Sequence, residues 1–374
     1  MNLLEDSTRG YMDEMNSTKK KNKKNKVKTI GIIAALVLAV TVSGVIVYNY
    51  LMSAGLTISF RSAEQQQNEA VVQQKDDKEA DIYNFIALQV KTGKVTIDDV
   101  ENSFPKEKLK VICEKAGLLY LEDSNLERVI REKLGKLSGV LLFEDVSAIT
   151  SLDASGMSIS NLEGLQFFQN ISELTLDNNI ISNINILNEL PYLTLLSVKD
   201  NHLKNIDSLG NVSSLKQLYL DNNYIDNLNA FQGTNSLEVL SLGGNHISDI
   251  TSLSTMKSLT ALNLFHNDIS DIEPIKELIN ISSLNLGDND IYDVKPLGAL
   301  TQLSELILNE NKINDITPLG TLTGLKVLDV YDNRISDAQA LGALTALEKI
   351  RISRNPVGDI SSLGSVSSTR IEIE

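Results

Sequence analysis

Cysteine is nearly absent from this chain. Cys113 stands alone, which excludes an internal disulfide framework and any zinc site built from several cysteines. Tryptophan is missing, and histidine occurs only as His202, His246 and His266, so the chain holds little catalytic material. Positive charge is the minority sign: 34 Lys plus Arg against 49 Asp plus Glu give a net charge of −15. That balance argues against general nucleic-acid binding, which needs a basic surface. There is no Gly-x-Ser-x-Gly elbow, phosphate-binding P-loop or GxGxxG nucleotide loop. Residues 287–294, GDNDIYDV, gather three aspartates, but they lack the glycine and terminal glutamate of an EF-hand loop. These absences predict a protein that is not an enzyme, with no cofactor, no resident metal and no nucleic-acid partner. The content that remains, 42 % hydrophobic over 374 residues, is that of a folded chain, and length alone suggests two or three domains.

Charge is distributed unevenly. Residues 1–28 carry 8 basic and 4 acidic residues and end in a cluster running from Lys19 to Lys28. No charged residue follows until Arg61, and the 23 residues Ile30 to Met52 are strongly apolar. As a helix they extend about 35 Å, enough to cross a hydrocarbon core of about 30 Å. The expectation is an uncleaved transmembrane helix over 29–52, with Tyr48 and Tyr50 at its interface. The lysines orient it, placing a basic cytoplasmic tail (1–28) inside and everything after about residue 53 outside. Residues 53–80 read as a polar spacer and 81–122 as a short helical segment, in which Pro105 suits the first turn of a helix reaching about Cys113. Cys113 is expected to be a small buried hydrophobe. Ser124 with Glu127 resembles a capping box that opens a helical N-terminal cap over 123–148.

From Ile149 the sequence repeats itself every 22 residues. Units begin at Ile149, Ile171, Leu193, Leu215, Leu237, Leu259, Ile281, Leu303, Leu325 and Leu347, and the tenth ends at Ser368. Apolar residues recur at unit positions 1, 4, 6, 11, 14, 17 and 20. Alternation around positions 4 and 6 predicts one short half-buried strand per unit. Position 9 is asparagine in nine units: Asn179, Asn201, Asn223, Asn245, Asn267, Asn289, Asn311, Asn333 and Asn355; the first unit has Met157 there. A carboxamide both donates and accepts, so these residues are expected to form a structural ladder that satisfies the turn backbone. Pro274, Pro296 and Pro318 at position 16 exclude a ladder strand on the far side of the coil. No unit of this size buries a core alone, so the units must stack. Residues 369–374 are expected to add a last half-strand.

The motif LxxLxLxxNxI at this spacing resembles the leucine-rich repeat family. The Ser-Asp-Ile turns at 248–250 and 270–272, the segment NLERVIRE from Asn125, and SLDASGMSISNLEGL from Ser151 look like the bacterial internalin type. The resemblance spans about 123–368. It implies an α/β solenoid, a leucine-rich repeat horseshoe with a parallel concave sheet and a helical N-terminal cap, to which the sequence adds the transmembrane helix. It also implies protein recognition. The chain differs from that type in ending six residues after the repeats, in lacking a Leu-Pro-x-Thr-Gly segment, and in carrying an uncharged run where a cleaved signal would stand.

In such a fold, positions 3, 5, 7 and 8 are expected on the concave face. They supply Glu173, Asp177, Asp200, Asp221, Asp288, Glu305 and Asp329, with Tyr219, Phe265, His266, Ile307 and Tyr331 among them. Exposed aromatics on an acidic ground suit an anchor-and-rim interface. The expected function is a membrane-anchored, extracytoplasmic recognition or adhesion protein, single-pass in the cytoplasmic membrane with repeats outside. Its partner is a neutral or basic protein, because the repeats hold 12 basic against 26 acidic residues. An alternative is a regulatory or scaffolding membrane subunit whose tail, 1–28, contacts a cytoplasmic partner. Lys349, Arg351 and Arg354 form a small basic end, and His202, His246 and His266 read as isolated surface residues, the first two about 10 Å apart by strand spacing.

Overall fold

The structure, a computed structural model, describes residues 82–92, 94–95, 100, 103–233, 236–359, 361 and 370–372. The expected membrane span over 29–52, the basic tail and the spacer lie outside these residues. Among the described residues no helix is long and apolar enough to cross a membrane. The chain divides into two compact units, with the boundary near Tyr120 and with residues 140–142 returning to the first.

The first unit holds α1 (82–91) and α2 (Lys106–Ala116), joined to a short antiparallel bridge between Leu118 and Leu142. Pro105 is the N-cap of α2 rather than a residue of its first turn, and the helix continues past Cys113 and stops at Gly117, whose φ of 70° forms a left-handed C-cap. Tyr83, Ile86, Val90, Leu109, Ile112, Cys113 and Leu118 make its core. Cys113 is 1 % exposed.

The second unit begins with α3 (Ser124–Leu134) and α4 (Phe143–Val146) and continues as the repeat stack. The cap of α3 is Asp123 rather than Ser124: its Oδ1 accepts the backbone N–H groups of Asn125 and Leu126 at 3.0 and 3.1 Å. An aspartate outranks the serine because its carboxylate reaches two orphan donors and meets the positive end of the helix dipole.

Each repeat contributes one three-residue strand at positions 3–5, from β1 (Ser151–Asp153) to β10 (Lys349–Arg351). With β11 (Arg370–Glu372) these strands form an eleven-stranded sheet in simple sequential order, all parallel. Register follows the repeat: Leu174 faces Leu196, Leu196 faces Leu218, and so on at 22-residue intervals. Positions 15–19 form 3-10 helices on the return path, such as Thr251–Thr255, shortened to three residues at Leu165–Phe167 and Asn229–Phe231, and Pro274, Pro296 and Pro318 occupy the second residue of theirs. A missing N–H costs nothing in the first turn.

The apolar register is complete within a unit. In the seventh, Ile281, Leu284, Leu286, Ile291, Val294, Leu297 and Leu300 are all at most 1 % exposed. Burial of each is worth about 1.5–3 kcal/mol, and both faces of the layer are covered only by its neighbours.

Position 13 has a role that the apolar register does not announce. Its Asn or Asp oxygen accepts the N–H of position 15 at 2.7–2.9 Å in all ten units, from Asn161 to Asp359, and so fixes the entry into each return segment. Side-chain and backbone hydrogen bonds from Thr251 hold the Asp249 carboxyl below the usual aspartate value of 3.8, those from Thr317 do the same for Asp315, and those from Ser361 for Asp359. These groups have depressed folded pKa values. Their contribution is therefore present above the unfolded value and lost as pH falls through the folded one. The thermal midpoint is expected to fall as pH drops from about 5 to about 3. The triple variant Asp249→Asn, Asp315→Asn, Asp359→Asn keeps the acceptor without the charge and is expected to fall less. Parallel acid profiles for the two proteins would refute this.

Candidate protein-binding site

Alternation along a strand sends position 4 into the core and positions 3 and 5 to the open face of the sheet. The turn after each strand is then made by positions 7–11. Position 8 has a positive φ in every unit: Gly156, Asn178, Asp200, Asn222, Gly244, His266, Asp288, Glu310, Asp332 and Arg354, between 52° and 71°. Glycine, asparagine and aspartate tolerate this left-handed corner best, and they fill seven of the ten sites. Asp200, Asp288 and His266, expected as contact residues, thus sit where backbone conformation constrains the choice of residue. The signal was visible as a Gly/Asn/Asp column one residue before the asparagines.

The position-9 asparagines bind units to one another. Each Oδ1 accepts the N–H of position 11 in the preceding unit at 2.8–3.0 Å. Each Nδ2 donates to the carbonyl of position 6 in that same unit at 2.8–3.1 Å. Asn179, Asn201, Asn223, Asn245, Asn289 and Asn333 are buried, and Asn267, Asn311 and Asn355 are half-buried. Met157 now has an explanation. It belongs to the first unit, and no earlier repeat exists whose turn an asparagine there could complete.

The carboxylates of the sheet face are largely engaged with one another's surroundings. Asp177 Oδ1 accepts from Ser197 Oγ at 2.6 Å and from the Lys199 N–H at 2.8 Å. Asp221 repeats this two units later, accepting from Ser241 Oγ at 2.5 Å, the Gly243 N–H at 3.0 Å and Asn263 Nδ2 at 3.0 Å. The recurring signal is aspartate at position 7 with serine twenty residues on. Asp329 is only 8 % exposed; it accepts the Tyr331 N–H at 3.0 Å and meets the Arg351 guanidinium at 2.6 Å. Glu305 accepts from Ser283 Oγ at 2.9 Å, Asp200 from Asn222 Nδ2 at 2.8 Å, and Asp288 pairs with His266 Nδ1. Glu173 is exposed on β2 and Ile307 half-buried on β8.

The expected basic end is drawn into this lattice as well. Arg351 and Arg354 lie 4.6 and 5.2 Å from the Tyr331 ring centroid, and Arg354 reaches Asp332 at 3.5 Å. Two guanidiniums therefore hold Tyr331, which is half-buried. Tyr219 is steadied similarly, with Lys199 5.1 Å from its ring centroid and its hydroxyl on Gln217 at 3.2 Å.

Phe265 is different. It stands 39 % exposed at position 7, flanked at the same position by Gly243 and Gly287. A Cβ added at Gly287 would lie 3.2 Å from Phe265 Cδ2, so the ring leans over that glycine. Beside it lie Ser241, Asn263 and Asn285 at position 5 and Val239, Ala261 and Ser283 at position 3, none of them charged. The middle of the face is thus a low, neutral floor carrying one exposed phenylalanine, bordered by acidic units. Among the described residues no group of three or more His, Cys, Asp or Glu side chains is placed to hold a metal ion.

A stack of short parallel strands, tied by an internal asparagine ladder and returning through 3-10 helices, defines a solenoid that displays its sheet. A model of the leucine-rich repeat matches residues 213–269, and a second, of two leucine-rich repeat copies, matches 323–365. The chain belongs to the leucine-rich repeat family. An internalin (InlF) from Listeria monocytogenes is 30 % identical, with 67 % of this chain and 75 % of that one covered at a TM-score of 0.65. The functional domain of InlJ from the same organism, which includes a cysteine ladder, is 20 % identical over 67 % of this chain and 59 % of that one, at a TM-score of 0.56. The ectodomain of the plant receptor kinase GASSHO1/SCHENGEN3 from Arabidopsis thaliana is 23 % identical over 62 % of this chain and 34 % of that one, at 0.52. Comparison with curated proteins gives no match. The repeat region is internalin-like, and leucine-rich repeat domains are typically used for protein recognition.

Proposed function

We propose that this chain is a non-catalytic recognition protein, anchored in the cytoplasmic membrane of a bacterium with its repeats outside, and that the neutral centre of the sheet face binds a protein ligand. The carrying observation is Phe265, an exposed aromatic whose ring lies against Gly287 in a floor otherwise free of large side chains. Such a ring loses little conformational entropy on binding and offers a desolvated anchor, with Tyr219 and Tyr331 held rigid at either side. The ligand is neutral to basic, since acidic residues outnumber basic ones in the repeats. Anchoring is supported by the sequence alone, through the 23 apolar residues from Ile30 to Met52 and the lysines before them.

Crosslinking on intact cells followed by identification of the captured protein tests both parts. The triple variant Tyr219→Ala, Phe265→Ala, Tyr331→Ala is expected to lower capture by about tenfold or more, the scale of lost interface anchors. Unchanged capture would move the site elsewhere. Protease added outside the cell should remove the repeats and leave a tail-containing fragment; protection of the repeats would reverse the topology.

A further inference from the structure

Position 10 lies just beyond the asparagine ladder, at the edge of the sheet face. Its backbone is locked, for the N–H groups of His202, Tyr224 and His246 donate at 2.8–2.9 Å to the position-11 carbonyls of the preceding units, Ile181, Leu203 and Ile225. The three side chains consequently stand in one row. The His202 and Tyr224 rings are 5.9 Å apart at centroids with an interplanar angle of 36°, and the Tyr224 and His246 rings are 6.4 Å apart at 29°. Ile180, 47 % exposed, heads the row and Tyr224 is 51 % exposed within it. Sequence spacing between the two histidines suggested isolated surface residues; it overlooked Tyr224, which joins them into one surface.

The fold does not require this row. At the same position the later units carry Asp268, Asp290, Lys312 and Arg334. Asp290 is paired with Lys312 at 2.6 Å, whereas Asp268, the next residue in the row after His246, has no ion pair among the described residues. Asp200 stands at position 8 of the same unit as His202, and its carboxylate receives the Asn222 amide. Lys204, two positions beyond His202, is already matched with Asp226 at 3.4 Å. The strip is therefore π-rich along its length and acidic at its margins.

We propose that the His202–Tyr224–His246 row is a second interaction surface, which receives an arginine-bearing segment of a protein partner. A guanidinium is planar, weakly hydrated and always charged. It stacks on aromatic rings while its N–H fork meets a carboxylate, and a compact ammonium cannot do both. The row offers the rings, and Asp200 and Asp268 offer the carboxylates. This surface does not depend on the Phe265 site.

The test uses the full chain and a fluorescent twelve-residue Gly/Ser peptide bearing two arginines, followed by polarisation. The same peptide with lysines and a chitooligosaccharide serve as the other probes. The arginine peptide is expected to bind at least about fivefold more tightly than the lysine peptide. Tyr224→Ala should weaken it about tenfold and Asp268→Asn about threefold, on the scale of one aromatic and one exposed ionic contact. Tyr224→Phe keeps the ring and should retain binding, and Phe265→Ala should leave it unchanged. Equal affinity for arginine and lysine peptides, no binding, indifference to Tyr224→Ala, loss with Phe265→Ala, or Tyr224-dependent binding of the oligosaccharide instead would each overturn the proposal.

Discussion

Asn245→Ala is expected to destabilise the repeat stack by about 2–3 kcal/mol, chiefly through the Ile225 N–H, since a buried donor left unmade costs about 1–3 kcal/mol. Asn245 is 4 % exposed. Its Oδ1 accepts the Ile225 N–H at 3.0 Å, and its Nδ2 donates to the carbonyls of Leu220 at 3.1 Å and Leu242 at 3.0 Å. Alanine leaves the Ile225 N–H without this partner, whereas the Leu220 and Leu242 carbonyls each lose one donor and keep another, from Asn223 at 3.1 Å and Asn267 at 3.0 Å. Asn245→Asp keeps the acceptor for Ile225 but buries a charge and turns its second oxygen toward the Leu220 and Leu242 carbonyls, which are acceptors too, so it is expected to be at least as harmful. Urea unfolding gives the global loss, and native-state hydrogen exchange localises it: protection should fall at Ile225 N–H and hold at Ile291 N–H, which Asn311 serves. A loss below about 1 kcal/mol would mean that the ladder is replaceable by ordinary turn relaxation.

Asp123→Ala is the second large effect, at about 3 kcal/mol, the sum expected for a lost helix cap together with charge-assisted hydrogen bonds elsewhere. One carboxylate serves two elements. Oδ1 caps α3, while Oδ2 accepts the Ser160 N–H at 2.8 Å, Ser160 Oγ at 3.1 Å and the Asn161 N–H at 3.2 Å in the first repeat. Burial pushes this carboxyl's pKa up, but the hydrogen bonds from Ser160, Leu126 and Asn161 outweigh it and hold the group below 3.8. The folded pKa is the lower one, so the bonus is present above the unfolded value and disappears as pH falls through the folded value. Wild type should therefore lose its advantage over Asp123→Ala in strong acid. An advantage that stays constant with pH would show that the carboxylate's charge is irrelevant to the joint.

The strand, the ladder column and the return segment were legible because each rests on a period that one sequence displays nine or ten times. Leu284 and Leu286 announce a strand by alternation, and Asn289 announces a turn by recurring where nothing else does. Residues that serve the backbone and residues that serve a surface were harder to separate. Asp200 and Asp288 carry the charge of a contact residue and stand beside the strand, but their backbone is left-handed, and that requirement has no charge signature. Asp177 and Asp221 read as free acid, although a serine twenty residues later was waiting for each. Ser124 looked like the cap of α3, one residue past the true one, because serine with a glutamate three residues on matches the motif in letters. The row at position 10 was missed for another reason. Contact across a stack arises between residues 22 apart, and although that register already set the two histidines about 10 Å apart, Tyr224 at the same position of the unit between them was not read with them.

The asparagine ladder has a direction. Every asparagine also ties carbonyls of its own unit, as Asn245 does with Leu242, but the position-11 N–H it accepts belongs to the unit before it, so that donor meets its partner only when the successor unit has been laid down. Met157 marks the closed end, because Asp123 already satisfies the backbone of Ser160 and Asn161 there. The stack is thus a polar filament, built one way, in which a chain emerging from synthesis always has one open turn at its growing tip. Whole units of 22 residues can be added or removed between existing ones without changing the bonding pattern, whereas a shift of even one residue leaves every later asparagine facing the wrong turn.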